Sequence, residues 1–531
     1  MLQFILGRAG FGKSFTLTQK IGECIEKGGT PLLIVPEQFS FESERAILSR
    51  FGERATDKVK VMSFSRLCED ASRVYGGGAG RVLSDADKTI MLGRAMKNCK
   101  DELKLWKGYV NSAGFIENML NAISEFKLHA VSYEDLLSAA ERVEDNYLSS
   151  KLFDTALIYK NYDLILGEKF IDSNDNLAKF YMQLKTHNFF EGKDVFIDSF
   201  KGFTGQQLKI IKVIIASAAS VTVALTLDTQ SNRKNGVFAN IIKTKEKLIN
   251  AAKSHNVAVM EDIILEETFN KNDSLKALEK LMAGYSDFDD ISADSITICS
   301  AADIGEEAEF VARNIRKIAR KENARYDDFA VIVRDAEMYE EEFDSACRRN
   351  GVSCFIDRRI SISSLPVAVM ALNAVALAGK LTTEKILRFY KSGIEYISLE
   401  ELAELENYTY LWGIDGEALK RDWDMNPDGF REVEDEKYAK AIEEKLQSLN
   451  SIRQKMIAPI ITFKKAFHGT AQNMAEALID LILSVGGDKS IKTLCEKYKN
   501  EGNYVYADAL RQSWDVFIGL LESMVTCFGD G

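Results

Sequence analysis

The sequence feature that most constrains this chain is a glycine-rich loop that follows its first few residues. The loop satisfies G-x-x-x-x-G-K-[ST] at every specified position, as Gly7-Arg8-Ala9-Gly10-Phe11-Gly12-Lys13-Ser14. An apolar stretch precedes it at residues 2–6 and a helical pattern follows at 15–25, the strand–loop–helix setting of a phosphate-binding loop. A chance glycine turn, the alternative, does not account for that setting. We predict that this loop binds ATP: its glycines turn backbone N–H groups towards phosphate oxygens, Lys13 reaches the β- and γ-phosphates, and Ser14 coordinates Mg²⁺.

Short apolar stretches with strand character recur in the first part of the chain, each followed by a helical pattern. They lie at residues 2–6, 32–35, 59–62, 195–197 and 221–227. Strands that alternate with helices predict a parallel sheet with crossover helices. The long segment between the third and fourth stretches has helical periodicity, and its clearest apolar face consists of Ile116, Met119, Leu120 and Ile123. We interpret this segment as a helical insertion into an α/β domain.

A polar, acidic passage at residues 270–294 predicts a boundary, after which a second α/β unit begins. Residues 296–299 and 329–333 have strand character, and the segment between them has the apolar face of a helix, with Val311, Ile315 and Ile318. From about residue 380 the pattern is helical, and one apolar face consists of Met474, Leu478, Leu481, Ile482 and Val485. Residues 527–531 close no visible element, so we expect a fragment of a longer protein.

Composition excludes several function classes. The 531 residues are 46% hydrophobic and 28% charged, as in ordinary soluble globular proteins. No run approaches the ~20 apolar residues of a membrane span, and the N-terminus lacks the features of a signal peptide, so we expect a cytoplasmic protein with no membrane contact. The eight cysteines form no CxxC pair and only four histidines are present, so the spacing predicts no zinc site. A net charge of −12 argues against a general polyanion binder but permits a locally basic face.

A P-loop ATPase also needs an acidic residue after a second strand to hold Mg²⁺, and a neighbouring carboxylate to position water. The best candidate is the strand at 194–197, which is followed by Asp198, Ser199, Phe200 and Lys201. Asp198 can hold the metal ion, although an acidic residue in this position is also typical of a strand-end turn. Ser199 occupies the place of the expected carboxylate and is a poor base at neutral pH.

Four segments occur in an order that resembles the AddB family, the B subunits of bacterial AddAB helicase–nucleases. They are residues 7–14, 35–41 (V-P-E-Q-F-S-F), 63–67 (S-F-S-R-L) and 198–203. The same order is similar to the first motifs of UvrD-type superfamily 1 helicases, where residues 63–67, 227–231 and 331–334 occupy further motif positions. Active motors of that superfamily carry Asp-Glu-x-Gln, whereas this chain has Ser199 and Lys201 in place of the glutamate and the glutamine.

The resemblance implies an α/β fold with two RecA-like parallel-sheet domains, each with a mainly helical insertion. The first domain then comprises residues 1–80 and 191–275, with the insertion at 81–190. The second begins at 290–380, and residues 381–531 form a truncated helical region. Family members are about twice as long, and their other half holds a nuclease domain with four cysteines around a [4Fe–4S] cluster. None of the present cysteines is assigned to that cluster.

For function, the resemblance implies a nucleotide-binding but catalytically degenerate subunit that works with an AddA-like helicase–nuclease partner as a heterodimer. The complex is an ATP-dependent exonuclease that processes double-strand breaks for DNA repair by homologous recombination. It engages duplex-end and single-stranded DNA, and the AddB-like component scans the single strand for the Chi hotspot. Two alternatives stay open: an active ATP-driven translocase whose water-positioning carboxylate lies elsewhere, and a P-loop protein unrelated to DNA.

In that role, the loops after the strands face DNA. Gln38 and Ser40 are expected to hydrogen-bond to base edges. Phe64 offers a stacking surface or, alternatively, belongs to the core. Arg66 binds guanine or a phosphate or, alternatively, forms a surface ion pair.

Weaker DNA candidates follow the later strand. They are Phe200 and Phe203, with Gly202 allowing close approach. Glu69 stands where an aromatic ring would help to stack a base, which leaves the Chi sequence itself unassigned.

Several arginines have two possible roles. Arg334 either contacts the γ-phosphate, as its equivalent does in active motors, or caps a helix or pairs with Asp335. The arginine pairs 348–349 and 358–359 are interpreted as solvated faces, with phosphate contact as the alternative.

Overall fold

A computed structural model describes residues 1–52, 58–76, 81–167, 170–228, 236–266, 272–285, 293–356, 360–430 and 436–528. The chain is an α/β protein that divides into two compact units, Met1–Ile298 and Cys299–Gly531. Among the described residues, no helix combines the length and the apolar character that a bilayer crossing requires.

The first unit is built on a six-stranded parallel sheet. Its strands are β1 (Leu2–Gly7), β2 (Pro31–Ile34), β3 (Lys60–Met62), β6 (Asp194–Ile197), β7 (Ser220–Thr226) and β8 (Ile263–Ile264), and a separate pair joins β4 (Arg81–Val82) to β5 (Phe170–Ile171). The order across the sheet is β3-β2-β6-β7-β1-β8, with Leu6 opposite Leu225 and Ile34 opposite Ile197. Central strands such as β1 are almost continuously apolar because both of their faces are covered.

Helices cover both faces of this sheet. They are α1 (Lys13–Glu26), α2 (Ser40–Phe51), α3 (Phe64–Tyr75), α9 (Gly205–Ser217) and α10 (Ala239–Ser254), with α11 (Asp273–Ala283) near the end of the unit. Alternate residues of β1 serve opposite faces, as expected for a strand. Phe4 packs in one core with Ile210 of α9, whereas Ile5 packs in the other with Leu17 of α1.

The helical segment between α3 and β6 is held together by a buried lysine. Its helices are α4 (Asp85–Asn98), α5 (Ala113–Leu128), α6 (Tyr133–Arg142), α7 (Asn146–Leu166) and α8 (Asn176–Leu184). Lys127 Nζ on α5 lies 3.1 Å from Asp163, 3.2 Å from Asp172 and 2.8 Å from Asp175. Burial lowers the pKa of Lys127, but the three carboxylates outweigh burial and raise it above its ordinary value. The charged lysine therefore ties α5 to α7 and to the segment before α8.

The second unit is helical in its described part. Its helices are α12 (Ile304–Glu322), α13 (Ala336–Asn350), α14 (Pro366–Ala378), α15 (Thr383–Tyr390), α16 (Leu399–Leu411), α17 (Glu436–Ala466), α18 (Ala471–Ser484), α19 (Gly487–Asn500) and α20 (Tyr504–Phe528). Helices α14 to α20 share a large apolar core. Near the N-terminal ends of α12 and α13, Tyr339 Oη donates to Glu307 at 2.8 Å. Further along both helices, Arg316 of α12 donates to the carbonyl of Asn350, the last residue of α13, at 2.7 Å. These two contacts show that α12 and α13 run in the same direction.

The α/β class and the five predicted strands of the first unit are confirmed. The second parallel sheet is not: residues 296–299 and 329–333 form no strand within the described part of the chain. Ile298 and Ile332 are each 93% exposed, and Val331 and Val333 line a cavity of about 710 Å³ beside α12 and α13. A strand needs a neighbouring strand to accept its hydrogen bonds, and no described segment pairs with these two. The finer domain boundaries stay a prediction.

Candidate nucleotide site

The predicted nucleotide- and metal-binding residues of the first unit lie at one edge of the sheet. All the strands of the sheet are parallel, so their carboxyl ends share an edge, as in other open α/β sheets. The glycine-rich loop follows β1, Asp198 follows β6, and Asp228 follows β7, which lies between β6 and β1. The sheet order therefore places both carboxylates on the side of the loop.

The loop itself has the backbone of a phosphate cradle. Gly10 and Gly12 have φ values of 79° and 78°, in the left-handed region that glycine adopts without strain. Helix α1 begins directly after Gly12, so its positive N-terminal end faces the loop. Lys13 Nζ donates to the Arg8 carbonyl at 2.8 Å and curls back over the loop. The exposed Ser14 follows in the first turn of α1.

A cluster of side chains that the sequence does not predict packs against one side of the glycine-rich loop. Arg8 Nε lies 3.8 Å from Asp228 Oδ2, and the same oxygen accepts a hydrogen bond from Tyr285 Oη at 2.6 Å. The Arg8 guanidinium also lies over the rings of Phe11, at 4.8 Å from the centroid, and of Tyr285, at 5.8 Å. Burial, followed by the hydrogen bond to Asp228, raises the pKa of Tyr285 to about 12. Tyr285 lies far from the loop in sequence, so no local pattern could predict this contact.

The turn after β6 is strained at Ser199, the residue predicted to stand in place of a motor's glutamate. Ser199 has a φ of 66°, which is uncommon for a residue other than glycine. Its N–H donates to Asp198 Oδ1 at 2.7 Å, so the aspartate accepts a hydrogen bond from the turn that it begins. Ser199 itself is exposed, as is Lys201.

Of the three aromatic residues of the predicted DNA face, Phe64 is buried, whereas Phe200 and Phe203 are partly buried and their contact with DNA stays a prediction. Phe64 is 2% exposed, because it begins α3 and turns into the core, where its ring meets Phe200 edge-on at 5.7 Å. Phe200 and Phe203 pack against the same core, with ring centroids 5.0 Å apart. Phe64 therefore belongs to the core, and the prediction that its ring is exposed for stacking is wrong.

The polar candidates divide into accessible and buried side chains. Gln38 is exposed in the short 3-10 turn after β2, whereas Ser40 is 5% exposed and its hydroxyl has no hydrogen-bond partner among the described residues. Ser40 therefore presents no group to a base in this structure. Arg66 is half exposed and forms an ion pair with Glu44 of α2, the alternative considered for it. The Ser65 hydroxyl donates to Glu37 at 2.8 Å, which links the loops after β2 and β3.

Arg334, Arg348 and Arg349, the predicted arginines of the second unit that the structure describes, are exposed. Arg334 precedes α13, and Asp335 caps that helix by accepting from the Glu337 N–H at 3.1 Å. The role of Arg334 towards the γ-phosphate stays a prediction. Within the pair 348–349, Arg348 pairs with Asp344 and Arg349 with Glu309, as expected of a solvated face. The pair 358–359 and residues 229–231 of the predicted motif lie outside the described residues.

Comparison with known proteins decides the family. The sequence profile "ADDB, N-terminal" matches residues 4–279, which is more than half of the chain. The chain belongs to the AddB family. It is 31% identical over 538 residues to the B subunit of the ATP-dependent helicase/deoxyribonuclease of Clostridium novyi, with 99% of this chain and 46% of that protein covered. The proteins of the same name from Thermoanaerobacter sp. and Clostridium acetobutylicum are 30% and 28% identical, each with 100% of this chain and 47% of the relative covered. The chain therefore spans about half the length of these relatives.

Proposed function

We propose that this chain is the helicase-like half of an AddB protein that binds ATP without using it to drive movement along DNA. The observation that carries the proposal is the pairing of a formed phosphate cradle with Ser199 at the position of the catalytic carboxylate. Hydrolysis by P-loop motors depends on a side chain that positions the attacking water. The Ser199 hydroxyl is a poor base, and Lys201 stands where the coupling glutamine is expected.

The residues present fit a bound Mg²⁺–ATP. The N–H groups of residues 8–13 and the amine of Lys13 are the donors that phosphate oxygens require, and the Ser14 hydroxyl and the Asp198 carboxylate are hard oxygen ligands suited to Mg²⁺. The ion supplies charge neutralisation of the β- and γ-phosphates. Arg8 keeps the loop in place through Asp228, and Lys13 must leave the Arg8 carbonyl in order to reach the nucleotide. Arg334 remains a candidate contact to the γ-phosphate.

DNA is the proposed partner of the adjacent loops. Gln38 in the 3-10 turn after β2 and Arg66 in the first turn of α3 are both accessible, and Arg66 can exchange Glu44 for a phosphate or a guanine edge. Phe200 and Phe203 then support these loops from the core, and their contact with DNA stays a prediction.

The proposed role of the complete protein is taken from the name that its relatives share. In the complete AddB protein, we expect an AddA-like partner, action at duplex ends in recombinational repair, recognition of Chi on the single strand, and a nuclease domain with a [4Fe–4S] cluster outside this chain.

Nucleotide binding and turnover by the purified chain, with and without single-stranded DNA, test the proposal. We expect Mg²⁺-dependent ATP binding that Lys13→Ala abolishes, no turnover above background, and single-strand affinity that falls with salt. Lys27→Ala, which changes an exposed lysine just beyond α1, is the matched control and should bind ATP normally.

Each contrary result selects an alternative. DNA-stimulated turnover that Lys13→Ala removes would identify an active translocase. ATP binding without any salt-dependent affinity for single strands would identify a P-loop protein unrelated to DNA.

A further inference from the structure

Helix α12 of the second unit carries a one-sided row of positive charges. Its members, called here the basic strip, are Arg313, Arg316, Lys317, Arg320 and Lys321. They recur at i, i+3, i+4, i+7 and i+8, which places them on one face of the helix. The opposite face, with Ala308, Ala312 and Ala319, is buried. A strip of one sign is unexpected on a chain whose net charge is −12.

The outer part of the strip is available to a ligand. Arg313 pairs with Glu309 at 3.0 Å, and Arg316 donates to the Asn350 carbonyl at 2.7 Å. The other three side chains, Lys317, Arg320 and Lys321, are exposed and make no hydrogen bond or ion pair within the described part of the chain. All five cations and Asn350 line an open groove of about 470 Å³.

Helix stability does not account for this arrangement. Cations near a helix C-terminus favour the helix dipole, but that effect is confined to the last turn and so covers only Arg320 and Lys321. Within the strip, residues 313 and 317, 316 and 320, and 317 and 321 are like-charged neighbours four residues apart, which destabilises an isolated helix. The acidic residues of α12 and α13 lie mainly towards their N-terminal ends, and because the two helices are parallel, positive charge accumulates at the other end.

We propose that the basic strip binds the sugar–phosphate backbone of duplex DNA. The eight steps from residue 313 to 321 span ~12 Å at ~1.5 Å per residue, the axial length of about three to four phosphates of one strand. The six residues that line the groove include no aromatic ring. Binding sites for single strands generally add rings on which bases stack, whereas a row of cations alone suits a regular backbone without sequence preference. The assignment rests on the proposed function only in taking DNA as the partner.

The test is a salt titration of the 531-residue chain with a labelled blunt duplex and, separately, a labelled single strand. The variant Lys317→Gln/Arg320→Gln/Lys321→Gln removes the three unpartnered charges. It relieves their repulsion and gives up the dipole contribution of Arg320 and Lys321, two small effects of opposite sign on the helix. We expect its duplex affinity to fall about tenfold or more at low salt, and the slope of log K against log salt to fall by about 2 to 3. Its single-strand affinity should stay unchanged.

The matched control removes the same charge from another exposed helix of the unit. Lys437→Gln/Lys440→Gln/Lys465→Gln on α17 does so, and two of its lysines lie among Glu436, Glu443 and Glu444, where no positive strip exists. An equal loss of duplex affinity in the control variant, or unchanged duplex affinity in the strip variant, would overturn the proposal. If the strip variant loses affinity for the single strand alone, the basic strip binds single-stranded DNA and the duplex assignment is wrong. A chain that binds single strands but no duplex refutes the strip assignment and leaves the proposed function intact.

Discussion

Tyr285 Oη donates a 2.6 Å hydrogen bond to Asp228 Oδ2, the same oxygen that faces Arg8 of the glycine-rich loop. This contact holds one side of the candidate nucleotide site from a residue two positions beyond the end of α11. Tyr285→Phe removes one hydrogen bond to a charged acceptor, and such bonds contribute about 1.5–3 kcal/mol. We expect a loss of about 1–2 kcal/mol in the free energy of unfolding and several-fold weaker ATP binding, measured by denaturant titration and equilibrium binding. Tyr181→Phe, whose hydroxyl bonds to no described residue, should change neither.

The same tyrosine gives the unfolding free energy a dependence on alkaline pH. Its pKa rises from an ordinary value of 10.0 to about 12 in the folded chain. The contribution of Tyr285 is therefore fully present below pH ~10 and is lost as pH rises through ~12, because the unfolded state releases its proton first. Denaturant titrations between about pH 8 and pH 12 should show the difference between wild type and Tyr285→Phe shrinking over the upper two units. A difference that stays constant would contradict the assigned hydrogen bond.

Removal of the buried lysine should destabilise the helical segment strongly. Lys127→Met leaves Asp163, Asp172 and Asp175 close together without their shared cation. Breaking a buried ion pair on one side costs about 3–5 kcal/mol, since the remaining charge stays buried. Denaturant unfolding should report a loss of that size, whereas the exposed Lys160→Met on α7 should cost less than about 0.5 kcal/mol. A small effect of Lys127→Met would mean that water reaches the three carboxylates.

A tight backbone contact joins the helical segment to the sheet. A Cβ atom on Gly205, the first residue of α9, would come within 2.4 Å of the His129 carbonyl oxygen. Because backbone cannot yield as a flexible side chain does, Gly205→Ala should destabilise the chain by about 1–3 kcal/mol. The matched control is Gly202→Ala, whose Cβ would meet nothing closer than Thr244 Oγ1 at 3.7 Å. Thermal unfolding of the two variants separates the contact from a general effect of replacing glycine.

The parts that the sequence predicts correctly are those encoded locally. The first strand, the glycine loop and α1 follow from adjacent residues, because alternation, glycine spacing and helical periodicity are all local properties. Phe64 shows the limit, since its pattern fits both a stacking ring and a core ring, and only the position of Phe200 decides between them. The segments at 296–299 and 329–333 show a second limit of prediction from sequence. Strand character is a local property, whereas pairing into a sheet needs a partner strand that is distant in sequence. Tyr285 could not be predicted for the same reason.

The left-handed turn at Ser199 can be tested by stability alone. Its φ of 66° costs an ordinary residue roughly 1 kcal/mol, which glycine avoids at the expense of more entropy in the unfolded chain. Ser199→Gly should therefore change the free energy of unfolding by less than about 1 kcal/mol. Ser199→Val should cost about 1–2 kcal/mol more than Ser199→Gly, because a β-branched side chain fits this region worst. Equal stability of the two variants would contradict the left-handed conformation of Ser199.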